Sequence, residues 1–264
     1  MTEPILTEIH DSGLMIITLN RPEKHHSMDK AMIASLTNAA KTAAGDRAIR
    51  AVLIQSSGPS FCAGGDLGWM KDQTEASREK KMKEARCLAD MLAAFYTLPC
   101  PVIARVQGNA YGGGLGLMAV ADIVVAANGL RFALTETRLG LIPATIGPFV
   151  LRRIGHGKAR SVFITGSVMN TKRAERLGLV SYAVPADELD EAVAREVDMA
   201  LRASPEAMAR AKALILAQET GNLREDIDQA VTALADCWES PETNAGINAF
   251  FAQQDPPWIN GGQK

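Results

Sequence analysis

The chain has little of what would point to a specialised environment. Its 264 residues carry 28 Lys and Arg against 30 Asp and Glu, a formal net charge of -2. Acids and bases are interspersed, so no basic face is expected to draw nucleic acid or an anionic membrane surface. Cysteine is scarce: Cys62, Cys87, Cys100 and Cys237 stand apart without paired spacing, which excludes a disulfide framework and predicts a reduced, cytoplasmic protein. No apolar run approaches the roughly 18 residues of a membrane span. The first residues, MTEPILTEIHDSG, lack the basic start, apolar stretch and cleavage site of a secretion leader. His10, His25, His26 and His156 have no metal-ligand spacing, and no nucleophile and base motif surrounds a cysteine, so neither a metal nor a covalent intermediate is expected. Internal repeats and low-complexity tracts are absent too.

What is present is an ordinary globular composition, 47% hydrophobic and 22% charged, enough for one compact core with or without an appendage. The first half alternates strand and helix patterns. ILTEIH, LMIITLN, AVLIQSS, PVIARVQ, DIVVAA and RFALTE read as strands, rich in Val, Ile, Leu or Thr and closed by Gly, Pro or Asn. SMDKAMIASLTNAAKTAAG reads as a helix with Ser27 as N-cap, Met32, Leu36 and Ala40 on its apolar face, and Gly45 as its stop. From GPFVLRRIG onward the pattern is almost wholly helical, through KARSVFITG, TKRAERLG, DELDEAVAREVDMALRAS, SPEAMARAKALILAQETG, REDIDQAVTALADCWES and ETNAGINAFFAQQ, with LVSYAV as a short strand. Ser204 and Pro205 make a cap followed by a first-turn proline. We expect a sheet-based core over 1–200 and a helical region over 201–264. Several late helices carry wide apolar faces that predict self-association.

Two glycine-rich turns could carry chemistry. In SSGPSFCAGGDLGWM, Ala63, Gly64 and Gly65 clear side chains from the backbone, and Asp66 is placed to cap a helix from Leu67. About fifty residues later, Gly112 to Gly114 follow the strand PVIARVQ and open the helix LGLMAVA. Unpaired amides at a helix start suit a negatively charged oxygen. Neither turn is followed by the Lys-Ser or Lys-Thr of a phosphate loop. Each taken alone is either a tight turn or a binding site.

Taken in order, six segments resemble the crotonase family, the enoyl-CoA hydratase and isomerase superfamily: LNRPEKHHSM, FCAGGDL, VQGNAYGGGLGLMAVADIVVAA, FALTETRLGLIP, ITGSVMNTKRAERLGLVSYAVP and GINAFFAQQDPPW. The resemblance implies an α/β fold, a spiral of ββα units with two near-perpendicular sheets, and a C-terminal helical region that builds homotrimers or hexamers as dimers of trimers. It implies an acyl-CoA thioester substrate, coenzyme A being part of the substrate and no separate cofactor being needed. Carried over by position, the two amides that hold the enolate oxygen fall on Ala63 and Gly113.

Many hydratases of this family carry two glutamates. The first position is Gly116 here, and the second, twenty residues on, is Glu136. Beside Leu134, Leu139 and Leu141, the Glu136 carboxyl is expected to have a raised pKa and to exchange protons in catalysis. The run Ala144, Thr145, Ile146, Gly147 resembles the branch that hydrates methylglutaconyl-type and isohexenylglutaconyl-type CoA esters, whose distal carboxylate Arg138 could face. Arg21, Lys24 and His25 are expected to contact CoA, together with Ala63, Gly65 and Asp66 of the first turn. Phe250 is a candidate lid, and Trp69, Met70 and the helix around REKKMKEARCLADMLAAFYTLP are expected to flank the acyl pocket. The leading reading is hydration of a 2-enoyl-CoA. The alternatives are a Δ3,Δ2-enoyl-CoA isomerase working with one glutamate and a non-catalytic acyl-CoA-binding protein.

Overall fold

The computed structural model describes residues 3–218 and 222–259, and the end of the helix read as far as Gly221 lies outside them. Alternation sets the first strands. In β2 (Leu14–Leu19) every second residue, Met15, Ile17 and Leu19, is buried, and β1 (Ile5–Ile9) pairs with it antiparallel. Helix α1 (Lys30–Gly45) buries Met32, Ile33, Leu36, Ala39, Ala40 and Ala43 on one side and ends at the expected Gly45. Its N-cap is Asp29, whose carboxylate accepts from the Met32 amide at 2.9 Å. The Ser27 hydroxyl, the expected cap, donates instead to Asp66.

From there the chain winds in repeated turns, each giving one strand to a large sheet, one to a small sheet and then helix. The first turn is β3 (Ala51–Ser56), β4 (Ser60–Cys62), α2 (Leu67–Glu75) and α3 (Arg78–Tyr96). The second is β5 (Val102–Val106), β6 (Asn109–Tyr111) and α4 (Gly113–Val120). The third is β7 (Ile123–Ala127), β8 (Arg131–Ala133), α5 (Gly147–Ile154) and α6 (His156–Thr165). Then follow β9 (Met169–Asn170), α7 (Thr171–Leu177), β10 (Tyr182–Val184) and α8 (Leu189–Arg202). The large sheet has the order β1-β2-β3-β5-β7-β10 and the small one β4-β6-β8-β9. Neighbours β3, β5 and β7 run parallel, as do β4, β6 and β8, so each turn advances one strand in both sheets.

The large sheet is covered on both faces, which is why β7 is buried along nearly its whole length. One face joins the small sheet and helices α1, α3, α4 and α5 in the main core. The other packs Leu53, Ile103, Val125 and Ala127 against Leu189, Ala192 and Val193 of α8. The segment RFALTE is strand only to Ala133; Thr135–Leu139 tightens into a 3-10 turn closed by Gly140, which is left-handed.

Three helices follow: α9 (Pro205–Ala217), α10 (Leu223–Trp238) and α11 (Pro241–Phe251). Ser204 caps α9 with Pro205 in its first turn. No described residue of these helices is buried. Polar contacts tie them to the core: the Lys212 ammonium meets Asp122 at 2.7 Å, and the Arg50 guanidinium donates to the carbonyls of Leu201, Ala203 and Trp258. Among the described residues, no helix is long and apolar enough to cross a membrane.

Candidate active site

The spiral brings the two glycine turns together because both follow neighbouring strands of the small sheet, β4 and β6. A Cβ built on Gly112 or Gly113 would lie 3.7 or 3.8 Å from the Gly64 Cα. Gly64 must be glycine: its φ is +90°, and a Cβ there would stand 2.9 Å from the Tyr111 carbonyl oxygen. Gly112, at φ +46°, has the Glu136 carboxylate in the place of a side chain, with Oε1 3.1 Å from where its Cβ would be. Glu136 therefore stands at the mouth of α4, beside the first turn of that helix.

The Glu136 environment is what an acid–base group needs. Its Oε2 is buried with no hydrogen-bond partner among the described residues, and burial raises its pKa above the ordinary glutamate value. The expected apolar neighbours differ in their parts: Leu134 is fully buried, whereas Leu139 and Leu141 are 63% and 52% exposed. Arg138 is exposed on the same turn.

The expected amide pair is brought together only in part. The Ala63 N–H donates to the His25 carbonyl at 2.9 Å, so it is already paired and is not free to meet a ligand. Two residues on, the Gly65 amide has no acceptor among the described residues, because the bridge to Met28 uses the Gly64 carbonyl and the Asp66 amide on either side of it. The Gly113 amide, first in α4, is likewise unclaimed. The open pair is thus Gly65 and Gly113. Which amide stays open is decided by the contacts to His25 and Met28, which join segments distant in sequence and leave no local signal.

The segment before this turn is strained and held. His25 and His26 both have left-handed backbone, φ 48° and 54°, a conformation that costs about 1–3 kcal/mol each for such residues. His26 is fully buried; its Nδ1 accepts from the Arg21 amide, so Nε2 carries the proton and donates to the Ser57 carbonyl. Burial lowers its pKa, in keeping with a neutral ring. The His25 ring faces Ser60 at 2.9 Å.

Arg21 is not available to a phosphate. Its guanidinium pairs with Asp29 at 2.7 Å and Asp66 at 3.5 Å and donates to the Ser27 carbonyl, leaving 15% of the side chain exposed. Asp66 caps α2 as expected, accepting from the Gly68 and Trp69 amides at 2.9 and 3.2 Å, and its other oxygen receives Ser27 and Arg21. It is a structural residue. Lys24 is exposed with no ion pair among the described residues and remains open to an anion. Trp69 and Met70 pack beside Gly65, Trp69 Cζ3 and Met70 Sδ each lying 3.6 Å from where a Gly65 Cβ would be. Phe250 is 78% exposed on α11, edge-on to Phe251, and α11 packs on α10.

The position of a first glutamate is closed. A Cβ on Gly116 would stand 2.8 Å from Ile146 Cγ2 and 3.2 Å from Leu92 Cδ1. Two aliphatic side chains occupy the volume that a second acid would need.

An α/β spiral that feeds two sheets in step, with two glycine turns and a carboxylate meeting at one point, is the architecture of a crotonase-type enzyme. The comparisons agree: residues 10–261 match the family model "Enoyl-CoA hydratase/isomerase", and the chain belongs to that family of enzymes. Pseudomonas aeruginosa AtuE superposes with a TM-score of 0.93 at 35% identity, over 97% of this chain and 100% of that one. The enoyl-CoA hydratase of Mycobacterium smegmatis gives 0.91 at 33%, over 97% and 98%. The 1,2-epoxyphenylacetyl-CoA isomerase of Escherichia coli is 31% identical over 259 residues, 97% of this chain and 98% of that protein.

Proposed function

We propose that the protein adds water across the 2,3 double bond of an enoyl-CoA thioester. The observation that carries this reading is a buried carboxylate with an unpartnered oxygen, Glu136, beside the unclaimed amides of Gly65 and Gly113. As the water oxygen bonds to Cβ, Glu136 takes its proton and the alkene electron pair moves onto the thioester carbonyl, whose oxygen becomes an enolate oxyanion. Two amides held by glycine turns would meet that charge, and losing one such donor costs roughly 10² to 10³ in rate. When the enolate collapses, Glu136 returns the proton to Cα. One carboxylate thus serves as base and then acid, and its raised pKa brings the two states closer in energy near neutrality.

Coenzyme A enters as part of the substrate, with Lys24 meeting a phosphate and the backbone around His25 meeting the nucleotide. The finer substrate reading is a branched or carboxylated acyl group of the methylglutaconyl type, supported by the Ala144–Gly147 run and by Arg138, exposed on the Glu136 turn. A homotrimer, alone or paired into a hexamer, is supported by the apolar stripe Leu223, Ile227, Val231, Leu234 and Trp238 on α10, each at least 53% exposed. Leu139, Leu141 and Ile142 beside Glu136 are exposed in the same way. Phe250 would serve as a lid from a neighbouring subunit in such an assembly.

A second reading has its own observation. With Gly116 blocked by Ile146, the single carboxylate suits a Δ3,Δ2-enoyl-CoA isomerase, in which Glu136 carries a proton from Cα to Cγ. The deciding experiment is a panel of straight, branched and carboxylated 2-enoyl-CoAs and a 3-enoyl-CoA in ¹⁸O-water. Hydration consumes the conjugated absorbance and adds one labelled oxygen; isomerisation creates conjugation with no label. Affinity for CoA thioesters without turnover of any of them would overturn both.

A further inference from the structure

Helix α2 carries the wall of the proposed thioester site, yet apolar burial does not hold it. None of its nine residues is buried, and Leu67 is 82% exposed. Trp69 and Met70 nevertheless pack against Gly65, on the side where a Cβ would stand. A short helix without a buried face has no marked position of its own. Something polar must supply it.

That contact is Glu84 of α3. Its Oε2 accepts from the Trp69 indole Nε1 and from the Gln73 amide Nε2, both at 2.5 Å. Its Oε1 meets the Lys30 ammonium, at the first residue of α1, at 2.7 Å. The carboxylate is 11% exposed, and the Lys30 ammonium holds its pKa below the ordinary glutamate value. One carboxylate therefore gathers donors from α1 and α2 onto α3. The beginning of α2 is fixed by a linked set of contacts: Asp66 caps it, Arg21 joins Asp66 to Asp29, and Asp29 caps α1. The ring of contacts runs through Arg21, Asp29, Lys30, Glu84, Trp69 and Asp66, and Trp69 is the member whose ring packs beside Gly65.

We propose that Glu84 is a positioning residue that sets acyl-group selectivity, by holding the Trp69 ring as a fixed wall of the pocket beside Gly65. It takes no part in the proton chemistry. The proposal rests on the reading that the Gly65 amide meets the thioester oxygen. A glutamate is required because every partner is a donor. Glu84→Gln keeps the shape but turns one oxygen into an amide that faces an N–H or an ammonium, so at least one tether breaks and is replaced by repulsion.

The test combines hydrogen exchange of residues 67–75 with affinities for a series of saturated acyl-CoAs of increasing bulk and kinetics on the matching enoyl-CoAs. In Glu84→Gln, exchange across α2 should quicken by about tenfold, the scale of one hydrogen bond to a charged group. KM for the preferred acyl group should rise by about as much, KM for bulkier groups should change little, and kcat should stay near its original value. Gln73→Ala, a milder removal of one tether, should move the same quantities less. Unchanged exchange in α2 would overturn the proposal, as would a uniform fall in kcat across the series with the acyl ranking intact. If the unaltered enzyme turns over no enoyl-CoA, the hydratase reading fails. Exchange and the saturated acyl-CoA ranking then still decide the role of Glu84: a flattened ranking supports it and an unchanged one overturns it.

Discussion

Ile146 stands where a side chain on Gly116 would have to go, its Cγ2 2.8 Å from the Cβ position. The glycine is therefore a packing requirement as well as a missing acid. Gly116→Ala should cost about 1–3 kcal/mol of stability through overpacking, measurable by urea unfolding. Gly116→Glu alone should fold poorly. Combined with Ile146→Ala it should fold and place a second carboxylate near Glu136, raising hydration relative to isomerisation. A well-folded Gly116→Glu single variant would show that the cavity is not closed by Ile146.

Glu136→Gln should lower turnover by about 10² to 10⁴, the range for a general acid–base group, while leaving CoA thioester affinity near its original value. Stability moves the other way. Burial raises the folded-state pKa of Glu136, so the native state binds more protons than the unfolded one between about 4.3, the unperturbed value, and the raised value. Native stability is thus lost as pH rises through that window. Glu136→Gln removes this loss. The variant should melt higher than the original at pH 7, with the gap closing as pH falls below about 4. A gap independent of pH would contradict a buried, ionising Glu136.

The amide at position 65 can be tested without changing a side chain's chemistry. A Cβ on Gly65 meets nothing closer than 3.5 Å, so Gly65→Ala should retain activity. Gly65→Pro removes the N–H and should lose roughly 10² to 10³ in rate with an unchanged fold by circular dichroism. Ala63→Pro instead breaks the bond to His25 and should lower stability together with activity. Equal, full activity in Gly65→Pro and Gly65→Ala would remove this amide from the site.

How far such features can be read from sequence depends on the length scale that decides them. The strands of the large sheet were legible from composition because each sets several Val, Ile or Leu residues close together, as in β7. The strands of the small sheet are two or three residues long, too short to carry a pattern, and β8 was read only within the longer run RFALTE, of which Arg131–Ala133 is strand. Asp66 as a cap was legible from its place before Leu67. Asp29 was not, since Ser27 offers the same chemistry two residues earlier and only its contact with Asp66 removes it. Glu136 stood out through its segment, but the choice between Ala63 and Gly65 depends on which amides the Met28 bridge consumes. Neither the closing of Gly116 by Ile146 nor the Glu84 hub is a local pattern: the first joins separate turns of the spiral, and the second joins side chains of the three helices α1, α2 and α3.

Arg21 and Lys24 sit three residues apart, read alike as phosphate partners, and have opposite structural standing. Arg21 is locked between Asp29 and Asp66, so Arg21→Ala should reduce stability by about 2 kcal/mol, the scale of hydrogen bonding between charged groups. It should alter substrate binding only as far as α2 shifts. Lys24 is exposed on a 3-10 turn, and Lys24→Ala should leave the melting temperature unchanged. Its attraction for a phosphate, in water, is worth about 1 kcal/mol, so KM for the CoA thioester should rise by about fivefold with kcat unchanged. Because that attraction is between exposed charges, the difference between the original and Lys24→Ala should shrink as salt increases past about 0.15 M, where the screening length is about 8 Å. A salt-independent KM difference would mean that Lys24 acts through the fold of its turn, and a salt-dependent loss in Arg21→Ala would return the phosphate contact to Arg21.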